Sequence, residues 1–260
     1  GGALPPRGAD CDPVGQACRM AEAGTDLNVI AGMCVGHDTL FIRHARAPVT
    51  SLVVRDLRLR HNPAGALYTR KGYHRAALSP SADYPPRAAW APWTDQRLER
   101  FAREVRDAAA RRSEPPCRLE EIIAFANLAG VRRVGLVFCI GFQEEARELY
   151  AVLAAHGFGV SSVCCKTGSV PKERIGITDA EKIRPGQPEM ICNALAQAEL
   201  LERDEVDLVL LMGQCVGHDS ATISRLRVPA VCLIAKDRVL AHNTVAALYA
   251  LEAQEAPASA

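Results

Sequence analysis

Val206-Asp207-Leu208-Val209-Leu210-Leu211-Met212, followed three residues later by Cys215-Val216-Gly217-His218-Asp219, is the passage that decides the fold. Leu208–Met212 is a short, continuous apolar run, as expected of a strand covered on both faces. The residues beyond it read as a turn into a short helix, with Asp219 as its expected cap.

Working outward, the same alternation repeats. Leu119–Ala129 has helical spacing, with Ile122, Ile123, Phe125 and Ala126 on its inner face. Val134–Phe138 is a strand ending at Cys139, Gln143–His156 a helix closed by Gly157, and Gly159–Val163 a strand ending at Cys164-Cys165. Thr167–Met190 is irregular and rich in Gly and Pro, and a helix follows at Asn193–Glu202. Ala230–Ala235 is a fourth strand running into Lys236-Asp237-Arg238, and Asn243 is the expected cap of a helix through Tyr249. This predicts an α/β fold: a mostly parallel open sheet, Rossmann-like or flavodoxin-like, in three layers.

Residues 11–68 align without a gap onto 192–249 at an offset of 181, with 22 identities. Cys34, His37 and Asp38 match Cys215, His218 and Asp219, while Asp56, His61 and Asn62 match Asp237, His242 and Asn243. Duplicated folds usually keep apolar periodicity and let polar residues drift, so this set points to a shared site. The first copy supplies only the last two strand–helix units, with strands near Leu27–Ile30 and Val49–Val54. The expected organisation is therefore a half-copy over 1–75, a Pro-rich linker and amphipathic helix over 76–116, a complete domain over 117–251 and a tail over 252–260. Within the second part, residues 95–112 place Leu98, Phe101, Ala102 and Val105 on one stripe, and their arginines are balanced by acids on a solvated face.

A net charge of +1 offers no electrostatic case for nucleic acid. No apolar run approaches the roughly 20 residues of a membrane helix. No leader is visible at the start, and the absent initiator Met suggests a processed or truncated beginning, so a cytoplasmic protein is the expectation. Without a leader, the ten cysteines are expected to be reduced thiols.

In a parallel sheet the carboxyl ends of the strands lie on one edge, where ligand crevices form. That edge should gather Cys139, Cys164, Cys165 and Cys215 with His218, Asp219, Asp237 and His242. Cys215-x-x-His218 has a gap that lets thiolate and imidazole share a metal, and it equally suits an activated thiol. His242 is a candidate ligand or proton carrier, and Asp237 a candidate to bind a metal, orient His242 or pair with Lys236. Adjacent side chains in extended chain point to opposite faces, so one thiol of Cys164-Cys165 should face the crevice and the other pack. Cys192 and Cys11, each preceding a helix, are secondary candidates.

The segments Phe138-Cys139-Ile140-Gly141-Phe142, Val163-Cys164-Cys165-Lys166, Cys215-Val216-Gly217-His218-Asp219 and Ala235–Asn243 resemble a prokaryotic cysteine-rich family of unknown function, whose members are often labelled predicted metal-binding proteins. The likeness spans about 117–250 as a full domain and 11–75 as its carboxyl-terminal half. It implies bound zinc or an iron–sulfur cluster. That label leans on an amino-terminal cysteine cluster that the sequence lacks, so Cys139, Cys164, Cys165, Cys215 and His218 carry the expectation, with Cys34 and His37 as half-copy counterparts. The alternatives are an enzyme using Cys215 as nucleophile with His218 or His242 as base, or a small-molecule module whose ligand's anionic group rests at Asp219 and Asn243. Whether the protein is an enzyme stays open, as does assembly into a homo-oligomer.

Overall fold

The computed structural model describes residues 11–255, with side chains through residue 250. In chain order the first segment holds α1 (Pro13–Glu22), β1 (Asn28–Ala31), α2 (Val35–His44), β2 (Val49–Val53) and α3 (Ala64–Tyr68). After a long irregular connection come α4 (Asp95–Ala110), α5 (Arg118–Ala129), β3 (Arg133–Phe138), α6 (Gln143–Ala155) and β4 (Gly159–Cys164). Then follow α7 (Ala194–Arg203), β5 (Leu208–Met212), α8 (Val216–Arg225), β6 (Ala230–Ile234) and α9 (Val245–Glu255). Among the described residues no helix is long and apolar enough to cross a membrane.

The chain forms an α/β fold with parallel sheets. β3–β6 make one four-stranded parallel sheet in the order β4-β3-β5-β6, and β1 and β2 pair in parallel as a second, two-stranded sheet. In the larger sheet the period-two alternation sorts residues to two faces. Leu136, Leu208, Leu210, Val231 and Leu233 pack in one cluster with Leu119, Ile122, Ile123 and Phe125 of α5 and Leu149 and Leu153 of α6. Val137, Val209, Leu211 and Ala230 pack in another with Leu201 of α7. β3, β5 and β6 are therefore covered on both sides, which is why they read as unbroken apolar runs, while the edge strand β4 carries Ser161-Ser162 and stays half-exposed.

The chain leaves β3 toward β4 on one side and returns to β5 on the other, so the strand order reverses between β3 and β5. That reversal opens a crevice beyond the carboxyl ends of these strands.

The Pro-rich connection is fastened down along its length. Trp93 Nε1 donates to Asp207 O at 2.8 Å, its ring stacks 6.1 Å from Phe125, and Arg87 donates to the carbonyls of His156 and Gly157. α4 lies with the expected stripe of Leu98, Phe101, Ala102 and Val105 buried. It approaches α2 so closely that a Cβ at Gly36 would meet the Cβ of Ala102 at 2.2 Å.

The two aligned segments meet reciprocally. α2 packs on β6 while α8 packs on β2. Thr50 Oγ1 donates to Asp219 at 2.6 Å, and Ser220 Oγ donates to Val49 O. The matched pair Ile42 and Ile223 both pack into the clusters of both sheets.

Arg118 closes this junction from within. At 1% exposure it donates to the carbonyls of Met33 and Cys232, pairs with the Asp38 carboxylate, and gives its backbone N–H to Asp56. Burial pushes the Asp38 carboxyl up to about 7 against the pull of Arg118.

Two caps differ from the sequence expectation. Cys215 itself, in extended conformation, is the N-cap of α8, so Asp219 falls one turn inside the helix and turns to Thr50. Burial pushes the Asp219 carboxyl up to about 6. Asn243 does not cap α9, which begins at Val245; its buried Oδ1 has no partner. In the first segment Pro63 is the N-cap of α3, and Asn62 Oδ1 is likewise buried without a partner.

Candidate functional site

Each strand of the large sheet delivers one reactive side chain to the crevice. Cys139 follows β3 and caps the single 3₁₀ turn Ile140–Phe142, while Cys215 caps α8 beyond β5. A thiol is a weak acceptor, and neither sulfur makes a capping bond to its helix, so both stay available. Cys165 lies just past β4, with its N–H donated to Phe138 O at 2.8 Å, and Lys236 follows β6.

Lys236 organises the group. Its Nζ is 3.0 Å from Cys139 Sγ and 3.2 Å from Cys215 Sγ. On the other side stands Cys165, whose Sγ accepts the Ile140 N–H at 3.3 Å. Cys192 Sγ is 3.8 Å from Cys165 Sγ. Cys192 arrives because the irregular segment folds back, with Ile191 N–H donated to Val170 O and Asn193 N–H to Cys165 O. Asn193 then caps α7 through Ala196 N–H.

The neighbouring Cys165 thiol, joined by the Lys236 ammonium, lowers the Cys139 thiol to about 4. The same contact with Cys139, together with burial, pushes Cys165 well up, so Cys165 stays a thiol. Exposure grades the set: Cys165 and Cys139 are buried at 3% and 5%, Cys192 is half-buried and Cys215 is exposed.

Of the residues expected from the sequence, the structure brings Cys139, Cys165 and Cys215 together and adds Cys192 and Lys236. Cys164 is the thiol that faces away; it lines a separate cleft of about 430 Å³ with Ile140, Arg147 and Tyr150. His218 is half-buried, and no hydrogen bond of its ring is found. In the first segment the matching pair does close, with Cys34 Sγ 2.9 Å from His37 Nδ1. There, burial raises the Cys34 thiol and lowers the His37 imidazole. Arg55 stands where Lys236 would and pairs with Glu121.

The repeated Asp and His prove to be a loop closure. Asp237 Oδ1 accepts the N–H groups of Val239 and Leu240, its own N–H reaches His242 Nδ1 at 3.1 Å, and His242 N–H returns to Asp237 O. Asp56 and His61 repeat that exchange at 3.2 and 2.7 Å. In both loops two successive residues, Arg60-His61 and Ala241-His242, have positive φ. Bonds that hold such backbone in place explain why these two residue types recur. The His242 ring lies 4.2 Å from the buried Phe142 ring, and burial lowers its basicity.

Among the described residues no group of three or more His, Cys, Asp or Glu side chains is arranged to hold a metal ion. A lysine nitrogen fits between two of the sulfurs instead.

A family model described as "Protein of unknown function (DUF1847)" matches residues 5–52 and 86–233, well over half of the chain. "Uncharacterized protein MJ0455" of Methanocaldococcus jannaschii is 42% identical over 132 residues, 51% of this chain and 66% of that protein. The chain thus spans slightly under two thirds of that relative's length. No solved structure matches this chain.

Proposed function

The chain belongs to the DUF1847 family of proteins of unknown function, and from its strand-end site we propose a thiolate reaction centre. The observation that carries this reading is Lys236 Nζ within hydrogen-bond reach of both Cys139 and Cys215 sulfurs. A thiolate, not a thiol, is the nucleophile, and a neighbouring ammonium is one of the few partners that holds one ready near neutral pH. Cys215 stands at the mouth and meets an electrophile first. Cys139, buried beside Cys165, is the thiolate kept in reserve. The two histidines of the earlier expectation have no part here: His242 is spent on loop closure, and His218 lacks a bond to the thiol.

Competitive alkylation of the reduced protein with iodoacetamide, mapped by mass spectrometry, tests this. Cys215 is expected to react first, ahead of the exposed Cys11 and Cys18, and Lys236→Met to slow it at least about ten-fold. If Cys215 reacts no faster than Cys18, or is indifferent to Lys236→Met, the reading fails.

One observation favours a second reading. A tetrahedral zinc site with Zn–S of about 2.3 Å separates its sulfurs by roughly the 3.8 Å found between Cys165 and Cys192. In that case Cys139, Cys165, Cys192 and Cys215 would hold zinc, or the four thiolates an iron–sulfur cluster, with Lys236 offsetting their negative charge. Stoichiometric metal after anaerobic purification, lost in Cys192→Ser, would favour it over the free thiolate.

A further inference from the structure

The four sulfurs form a series that starts at the rim. Exposed Cys215 shares Lys236 with Cys139, Cys165 follows the strand beside that of Cys139, and Cys192 Sγ lies 3.8 Å from Cys165 Sγ. Cys139 and Cys165 follow Phe138 and Cys164, which are register partners on adjacent parallel strands. Neighbouring strands lie about 4.8 Å apart, inside the Cα separation of about 4.4–6.8 Å that disulfides span. Cys215 and Cys139 meet at one ammonium, Cys139 and Cys165 sit on adjacent strand ends, and Cys215 is the most exposed of the four.

We propose that these cysteines form a thiol–disulfide relay, which takes a disulfide as substrate at Cys215 and stores the oxidising equivalents as a Cys165–Cys192 bond. The inference rests on the thiolate reading above and names the substrate class of that site. Cys215 sulfur attacks one sulfur of the substrate disulfide, forming a mixed disulfide and expelling the first substrate thiol. Cys139 thiolate then attacks Cys215, expelling the second. With Cys139 tied up in the disulfide, the anion that kept Cys165 protonated is gone; Cys165 gives up its proton and attacks Cys139, freeing Cys215, and Cys192 then gives up its proton and attacks Cys165, freeing Cys139. The protons of the Cys165 and Cys192 thiols end on the released sulfurs. In total the substrate disulfide is reduced to two thiols, and Cys165 and Cys192 are oxidised to one disulfide. Lys236 stabilises each sulfur anion as it leaves from Cys139 or Cys215.

The test is to treat the fully reduced chain with oxidised glutathione, count the glutathione released and map the linked peptides. The expected result is two glutathiones released per chain, none retained, and a Cys165–Cys192 linkage. Cys139→Ser should retain one glutathione on Cys215, and Cys192→Ser should stop at Cys139–Cys165. Wild-type protein that keeps glutathione on Cys215, or forms a bond that omits Cys165, overturns the relay. If Cys215 still alkylates fast in a Lys236-dependent way while keeping its glutathione, the relay fails and the thiolate reading stands. If Cys215 alkylates no faster than Cys18 and also keeps its glutathione, both fail.

Discussion

Arg118→Leu is expected to cost about 3–5 kcal/mol of folding stability, the penalty for leaving a buried charge without its partner. The guanidinium is 1% exposed and Asp38 2%, and Arg118 joins three parts of the chain: Met33 and Asp38 of the first segment, Cys232 of β6, and α5. Without it, Asp38 faces a site whose other oxygen is already unpartnered. The carboxyl escapes part of the penalty by taking a proton, and the sign follows. A carboxyl whose folded-state pKa is raised keeps its stability at low pH and loses it as pH rises through that value. Asp38 begins at about 7, and removal of Arg118 moves it higher, so the variant's deficit should be small in acid and grow toward alkaline pH. Urea unfolding across pH measures this, with Arg118→Leu/Asp38→Leu as the control that removes both charges. The double variant should regain much of the loss. A single variant within about 1 kcal/mol of wild type at neutral pH would show that the junction does not depend on this pair.

Gly213→Ala should damage the fold and the site together, while Gly32→Ala, one offset away, should do neither to the same degree. Both glycines have positive φ, at +66° and +81°, so each alanine carries the left-handed backbone strain, about 1–2 kcal/mol. The surroundings differ. A Cβ at Gly32 meets nothing within 4 Å, but one at Gly213 would stand 1.9 Å from the Phe142 ring. Phe142 is fully buried and packs on the His242 ring, so it has nowhere to go without moving the loop that carries Lys236 and Asp237. Overpacking of this kind adds about 1–3 kcal/mol. The difference in unfolding free energy between the two variants isolates the ring contact. Equal losses would mean that Phe142 yields freely.

Much of this architecture is written in the chain. Leu208–Met212 has the boundaries its apolar run suggests, because a strand covered on both faces carries no competing polar signal. The stripe on α4 buries the residues its spacing picks out. The thiols at 139, 165 and 215 fall on one edge because strand ends in a parallel sheet have nowhere else to go. Two members of the site were harder to see. Cys192 is brought in by an irregular segment without periodicity, and its only signal was recurrence as Cys11 before a helix. Lys236 aligns with Arg55, so a search for identities passes over it; a cation closing the fourth strand on a thiol-bearing edge was the usable sign. The repeated Asp and His misled in the opposite direction. Their identity between the aligned segments at fixed spacing suggested chemistry, whereas Asp237 and His242 close a loop of positive-φ residues, as Asp56 and His61 do. Identity between aligned segments thus reports a shared backbone need as readily as a shared reaction.

Ultraviolet titration of the thiolate in reduced protein, with Cys139→Ser and Lys236→Met beside it, tests the central claim most directly. An ordinary cysteine loses its anion well above about pH 7, whereas Cys139 is held down to about 4 by Cys165 and Lys236. One thiolate per chain should therefore persist at about pH 6, vanish in Cys139→Ser, and titrate at higher pH in Lys236→Met. A wild-type curve without thiolate until about pH 8, indifferent to Lys236, would contradict the account.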